Sequence, residues 1–181
     1  MSELTYDYSE TTVVITGGSS GIGRAIAIRF AEAGATVLNG DIEREPKGAD
    51  IPTDAAIEER GGTAEYVETD VTERADLEAL VEYAGEYGGV DVMVNNAGLQ
   101  IPKPMHEVTP EEFDRIHAVN SKGVFFGTQV AVENMLARDD PGVIINTASI
   151  SSNLTQYLPK RRVTSSRPLR ESDRGGGASF E

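Results

Sequence analysis

The chain has 181 residues and a formal net charge of −14, with 30 acidic side chains against 16 lysines and arginines, two histidines and no cysteine. That length suits one domain with a real core, and the charge opposes nonspecific binding to nucleic acid or anionic lipid. Without thiols there are no disulfides, thiolate zinc sites or cysteine nucleophile, and with only His106 and His117 for imidazole no metal is expected.

The amino end, MSELTYDYSE, carries acids where a secretion signal would carry basic residues and an apolar core. The apolar runs VVI and VII stop far short of the roughly 18 residues of a membrane span. A soluble cytoplasmic protein with small-molecule or protein partners is expected. Four lysines beside twelve arginines on an acid-dominated chain suggest a high-salt cytoplasm, where a carboxylate-rich surface stays hydrated.

The first apolar run, TVVIT, leads through GGSSGIG into a helical pattern that presents Ile22, Ile26, Phe30 and Ala33 and stops at Gly34, a residue suited to a left-handed cap. ATVL follows, ending near Asp41. Thr53 is read as the cap of a short helix reaching Arg60, closed by Gly61 and Gly62. After AEYVET, a third helix starts near Thr72, buries Leu77, Leu80, Val81 and Ala84, and ends at Gly88 and Gly89. VDVMV is the fourth run. The longest helix opens on Thr109-Pro110, with Glu112 placed to complete a capping box, and its pattern continues to about Ala137. GVIINT is the fifth run. Runs that do not alternate in and out call for cover on both faces of a sheet, which favours a parallel arrangement in a β-α-β rhythm.

Beyond Leu158 the character changes. Residues 159–181 hold six basic and three acidic side chains, against ten and twenty-seven in residues 1–158. Almost nothing in this basic tail is apolar, so it reads as disordered beside a domain over 1–158.

The glycine loop is the first candidate site. From Gly18 the spacing resembles a phosphate-binding P-loop, but Arg24 and Ala25 stand where that design needs lysine and a hydroxyl. The strict dinucleotide pattern G-x-G-x-x-G is absent too; the spacing present is Gly17-x-x-x-Gly21-x-Gly23. The context is stronger: a strand enters, a helix leaves, and a pyrophosphate at that helix's amino end would meet unpaired N–H groups and a favourable dipole. Asp41 ends the second run 18 residues after Gly23, near the roughly 20 expected of an acid that receives a ribose 2′-hydroxyl. A carboxylate there repels a 2′-phosphate, which favours NAD over NADP. Arg44 is the residue that could reach such a phosphate instead.

With these residues in place the chain resembles the short-chain dehydrogenase/reductase family, in the form with a T-G-x-x-x-G-x-G loop, here Thr16 to Gly23, and the likeness runs from about Thr11 to Ser152. Asp70-Val71 matches the element whose acid meets the adenine amino group. Asn95 to Gly98, NNAG, matches the segment that ends the fourth strand, steadies the sheet and lines the coenzyme site. Asn120 matches the family's helix asparagine and Ser149 its active-site serine.

The resemblance implies a Rossmann-type, doubly wound parallel sheet in three αβα layers. It also implies hydride transfer between a nicotinamide coenzyme and an alcohol or carbonyl carbon of a small molecule. The coenzyme set it implies is Thr16, Gly17, Ser19, Ser20, Gly21, Ile22, Gly23, Asp41, Asp70, Val71, Asn96, Ala97 and Gly98, with Asn120 and Ser149 as catalytic positions. Family members often form oligomers through the helix that matches 110–137 here.

The family's Y-x-x-x-K is missing after Ser149. Tyr157 is the last tyrosine, with Lys160 three residues on and Arg161 four, and Pro159 would break a helix carrying the pair. A tyrosine that passes the hydroxyl proton, with a lysine lowering its pKa, is the centre of the family chemistry. The lost pair, lost periodicity and charge reversal suggest truncation or a reading-frame change just after Gln156, so that the sheet ends at its fifth strand. A dinucleotide-binding module without turnover is the alternative function.

Overall fold

The computed structural model describes residues 6–149. Tyr157, Lys160, Arg161 and the 159–181 tail lie outside the described residues.

Five strands form one parallel sheet: β1 (Thr12–Thr16), β2 (Thr36–Asp41), β3 (Thr63–Glu68), β4 (Val92–Asn95) and β5 (Val143–Asn146). Their spatial order is β3-β2-β1-β4-β5. The chain winds outward from β1 through β2 to β3, then crosses to β4 on the other side of β1. A parallel sheet whose winding reverses beside its central strand opens a crevice at the strands' carboxyl ends. Here Thr16 pairs with both Gly40 and Asn95 at that point.

The strand residues alternate between two cores. Val13, Ile15, Val37, Val92 and Val94 face α1 (Gly21–Glu32) and α2 (Thr53–Glu58), while Val14, Leu38 and Met93 face α3 (Arg74–Tyr83) and the long helix after β4. Sandwiching explains why the runs read as continuously apolar.

Helix α1 departs from the sequence reading. It buries Gly23, Ala27 and Ala31, and Ile22 is 67% exposed. The helix is rolled one residue from the expected face, leaving Ile26 and Phe30 partly buried at its flanks. The cause lies at Gly23, where a Cβ would stand 2.1 Å from the Gly17 carbonyl oxygen. Only a small-residue stripe lets the helix start that close to β1. Gly34 does close the helix, at φ +99°.

Thr53 is a second departure. Pro52 takes the cap position of α2, Thr53 is its first residue, and the Thr53 hydroxyl turns back to the glycine loop. The third helix starts two residues later than Thr72, and Ala84 falls in a 3-10 turn, Ala84–Tyr87, before the left-handed Gly88 and Gly89.

The long helix begins as read. Thr109 N–H donates to Glu112 Oε2 at 2.9 Å and Glu112 N–H to Thr109 Oγ1 at 3.2 Å, with Pro110 in the first turn. It is not uniform, however: α4 (Pro110–His117) passes through a π-helical segment, Ala118–Gly123, into α5 (Val124–Arg138). Asn120 sits inside that segment. Among the described residues no helix is long and apolar enough to cross a membrane.

Candidate functional site

The crevice is a cleft of about 640 Å³ bounded by the glycine loop, the ends of β2 and β4, the turn after β3 and one side of α4. Its floor is backbone. Gly17 takes φ +69°, donates its N–H to Gly40 O at 2.7 Å, and has no room for a Cβ, which would lie 2.8 Å from Ala97 Cα. Gly21 also has positive φ, +55°, but a Cβ there would meet nothing within 4 Å. Gly17 and Gly23 answer to close approach, whereas Gly21 answers to conformation and open space.

The loop is gripped from behind. Asn39, wholly buried in β2, donates through Nδ2 to Ser19 Oγ at 3.0 Å. The Thr53 hydroxyl hydrogen faces Gly18 O at 2.9 Å and Ser19 O at 3.2 Å, while its oxygen accepts from Arg24 Nη1 at 2.9 Å. Thr16, 2% exposed, accepts from the Asn96 and Ala97 amides at 3.1 and 3.2 Å. It stands behind the loop, outside the cleft lining. Asn96 adds bonds from Nδ2 to Thr16 O and Gly17 O. Asn95 donates to Thr128 Oγ1 and Asn146 Oδ1, tying β4 to α5 and β5. The NNAG segment therefore joins the loop to the sheet.

Three features fit a dinucleotide. Helix α1 has no acid in its first turn, and its cap residue Ser20 makes no side-chain cap bond, its Oγ accepting instead from the Lys47 amide at 2.7 Å. Its amino end is thereby open to an anion. Second, Gly21 leaves unfilled the space a side chain would occupy. Third, the Asp41 carboxylate lies at the lip of β2, accepting the Ser19 N–H at 3.0 Å, with its backbone carbonyl held by Tyr66 Oη at 2.9 Å. Burial and the surrounding acids, Glu68 and Asp41 foremost, push the Tyr66 hydroxyl above the ordinary tyrosine range.

Farther along the cleft, Asp70 Oδ1 accepts the Thr72 amide and hydroxyl at 2.9 and 2.8 Å. Val71, 7% exposed, packs against Gly123 of the π segment, where a Cβ would lie 2.9 Å from Val71 Cγ2. Gly17, Ser19, Ser20, Gly21, Ile22, Asp41, Asp70, Val71, Asn96, Ala97 and Gly98 all line the cleft, and Gly23 supports it from below.

Asn120 does not line it. Its side-chain amide clasps the Leu99 backbone, donating to Leu99 O at 2.9 Å and accepting from Leu99 N at 2.7 Å. Ser149 is exposed beyond the end of β5. Sequence reasoning missed Arg115 and Val119, which line the cleft from α4 and the π segment, and Asn39 and Thr53, which hold the loop. The spacing of Arg115 and Val119, four residues apart on one helix side just before Asn120, was the available signal. Among the described residues, no group of three or more His, Asp or Glu side chains is placed to hold a metal ion.

A parallel sheet with a glycine-lined anion seat at its winding reversal defines a dinucleotide-binding fold. The model of the short chain dehydrogenase family matches residues 11–158, and the chain belongs to that family. It is 41% identical over 145 residues to 3beta-hydroxysteroid dehydrogenase 1 of Eggerthella lenta, a match covering 80% of this chain and 55% of the relative. With Glucose 1-dehydrogenase 2 of Bacillus subtilis it shares 36% identity, over 88% of the chain and 62% of that protein. A crystal structure of a short-chain type dehydrogenase/reductase from Mycobacterium marinum superposes with a TM-score of 0.77 at 32% identity, over 85% of this chain and 62% of that one. The chain thus spans little more than half the length of several curated relatives it matches.

Proposed function

We propose that this chain binds NAD in the glycine-loop cleft and serves an oxidoreductase that moves hydride between the nicotinamide and an alcohol or carbonyl carbon of a small molecule. The observation that carries the reading is the uncapped amino end of α1 facing an open seat, with Asp41 fixed beside it by the Ser19 amide. The loop amides around Gly21 and Ile22 hold the diphosphate, Asp41 receives the adenosine ribose, and Asp70 and Val71 border the adenine. When bound, the coenzyme supplies a carbon that accepts or gives up hydride. The chain's own part is to orient it: Asn96, Ala97 and Gly98 form the wall beside it. Asn120 fixes the loop after β4 at Leu99, and Ser149 offers a hydroxyl to the substrate oxygen. Relatives named for steroid, sugar and diol substrates agree with a hydroxyl or keto group as the reacting function. The acidic composition suits a high-salt cytoplasm, and the helix spanning 110–137 is the face for pairing of copies.

A second reading, binding without turnover, is favoured by one observation: no Y-x-x-x-K follows Ser149 in this chain. Titration with NADH and NADPH, followed by NAD-dependent oxidation of steroid, sugar and diol alcohols, separates the two. Binding with turnover supports the enzyme; binding with none supports the module. Asp41→Ala is expected to weaken NADH binding by about tenfold, the worth of a charge-assisted hydrogen bond. Unchanged preference between the coenzymes in that variant would overturn the assignment of Asp41.

A further inference from the structure

The rim of the cleft beyond Asp41 holds Glu43, Glu45 and Lys47, yet Arg44, between the two glutamates, is absent from the lining. Its guanidinium stays outside the cleft lining and grips Asp54 through Nε and Nη2. Nε donates to Oδ2 at 3.1 Å and to Oδ1 at 3.4 Å, and Nη2 also donates to Oδ2. Asp54 is the buried partner, its side chain 8% exposed against 51% for Arg44. It is also the fixed partner, since α2 is anchored to the glycine loop through the neighbouring Thr53. A buried carboxylate deprived of its cation is costly, so the pair holds the arginine where it is.

We propose that Asp54 is a specificity-determining residue: by tethering Arg44 outside the cleft lining, it denies a coenzyme's 2′-phosphate the guanidinium closest to Asp41 in sequence. This rests on the reading of the cleft as a coenzyme site. A 2′-phosphate beside Asp41 would face the carboxylates of Asp41, Glu43 and Glu45 against the single rim cation Lys47, with Arg44 already neutralised by Asp54. An untethered arginine three residues from Asp41 has the reach and the fork geometry that phosphate recognition uses. Rejection of the phosphate is then the work of two acids, Asp41 by repulsion and Asp54 by sequestration.

Fluorescence titration of the full chain with NADH and NADPH tests this in the wild type, Arg44→Gln, Asp54→Asn and the double variant, with thermal melts to establish folding. Asp54→Asn is expected to tighten NADPH binding by about tenfold while NADH binding stays within about twofold. The double variant is expected to return NADPH binding to the wild-type value, which separates Arg44 from Lys47. Arg44→Gln alone is expected to leave NADPH binding within about twofold of wild type, since a tethered arginine contributes nothing there. A folded Asp54→Asn protein with unchanged NADPH affinity overturns the tether, as does an Arg44→Gln protein that binds NADPH markedly more weakly. Should Asp54→Asn not fold, Arg44→Gln decides by the same criterion. Failure of every variant to bind NADH overturns the coenzyme reading and the tether with it, whereas NADH binding with either adverse result overturns the tether alone.

Discussion

The two ends of the cleft are built differently. At the glycine loop, buried side chains from β1, β2 and α2 converge: Thr16, Asn39 and Thr53 are each 2% exposed or less. At the Asn120 end the supports are exposed or only half-buried. Asn120 clasps Leu99, Lys103 reaches Glu112, and the Thr147 hydroxyl meets Asn96 Oδ1 at 3.3 Å. The proposed diphosphate seat is thus tied to the core that makes the fold, while Asn120 and Ser149 are themselves exposed. Damage to the first end should register in stability and binding together, and damage to the second in local mobility.

The sharpest way to break this contrast is Gly23→Ala. Its Cβ would meet backbone at 2.1 Å from Gly17 O, so either α1 or the loop must shift. We expect a loss of about 3 kcal/mol by urea denaturation and about a hundredfold weaker NADH binding; an unchanged protein would show that the core does not dictate the seat. Next comes the pair behind the loop. A Cβ on Gly18 would stand 2.4 Å from Asn39 Oδ1, an oxygen without a hydrogen-bond partner. Gly18→Ala alone is expected to cost about 2 kcal/mol, and Asn39→Ala to recover about 1 kcal/mol of that in a double-mutant cycle.

At the exposed end, Asn120→Ala should change NADH affinity by less than about threefold, since it removes only solvent-facing hydrogen bonds. The Leu99 amide should exchange with solvent much faster. The smallest effect is a pH dependence. The hydrogen bond from Lys103, with help from the Thr109 amide, holds the Glu112 carboxyl below its ordinary value of 4.5. Its folded pKa lies below the unfolded one, so its contribution is complete above the ordinary value and is lost as pH falls through the folded one. Acid melts should show slight early loosening of α4 that Glu112→Gln abolishes.

Much of this architecture was legible in the residues. The five runs became five strands, with β1 and β4 covered on both faces while Val143 and Ile145 of β5 stay exposed, and the Thr109–Glu112 box appeared because its two bonds are local. The α1 face was misread because hydrophobicity weights Ile22 and Ile26, whereas the packing is decided by how closely Gly23 must approach β1. Thr53 was misread because a cap and a tertiary clamp use the same hydroxyl, and only the fold brings Gly18 and Ser19 within its reach. The cleft residues were found where they belong to fixed patterns: the glycine loop, Asp41, Asp70-Val71 and Asn96 to Gly98. Asn39 was missed because nothing in its own chemistry announces the buried seat it occupies, and Arg115 and Val119 because their four-residue spacing points to the cleft only once the fold places that helix beside it.

The π segment between α4 and α5 carries a consequence for how this helix tolerates change. A π turn takes in one residue more than the α-helical winding around it, and the surplus offsets the angular bearing of everything upstream by about a quarter-turn. That offset lets Arg115 and Val119 look into the cleft while Val130, Ala131 and Met135 lie on the sheet. Excising a single residue within 118–123 would straighten the winding and force a choice, either the cleft keeps its wall or the sheet keeps its cover. Side chains along this stretch can be exchanged one by one, but the tally of residues cannot.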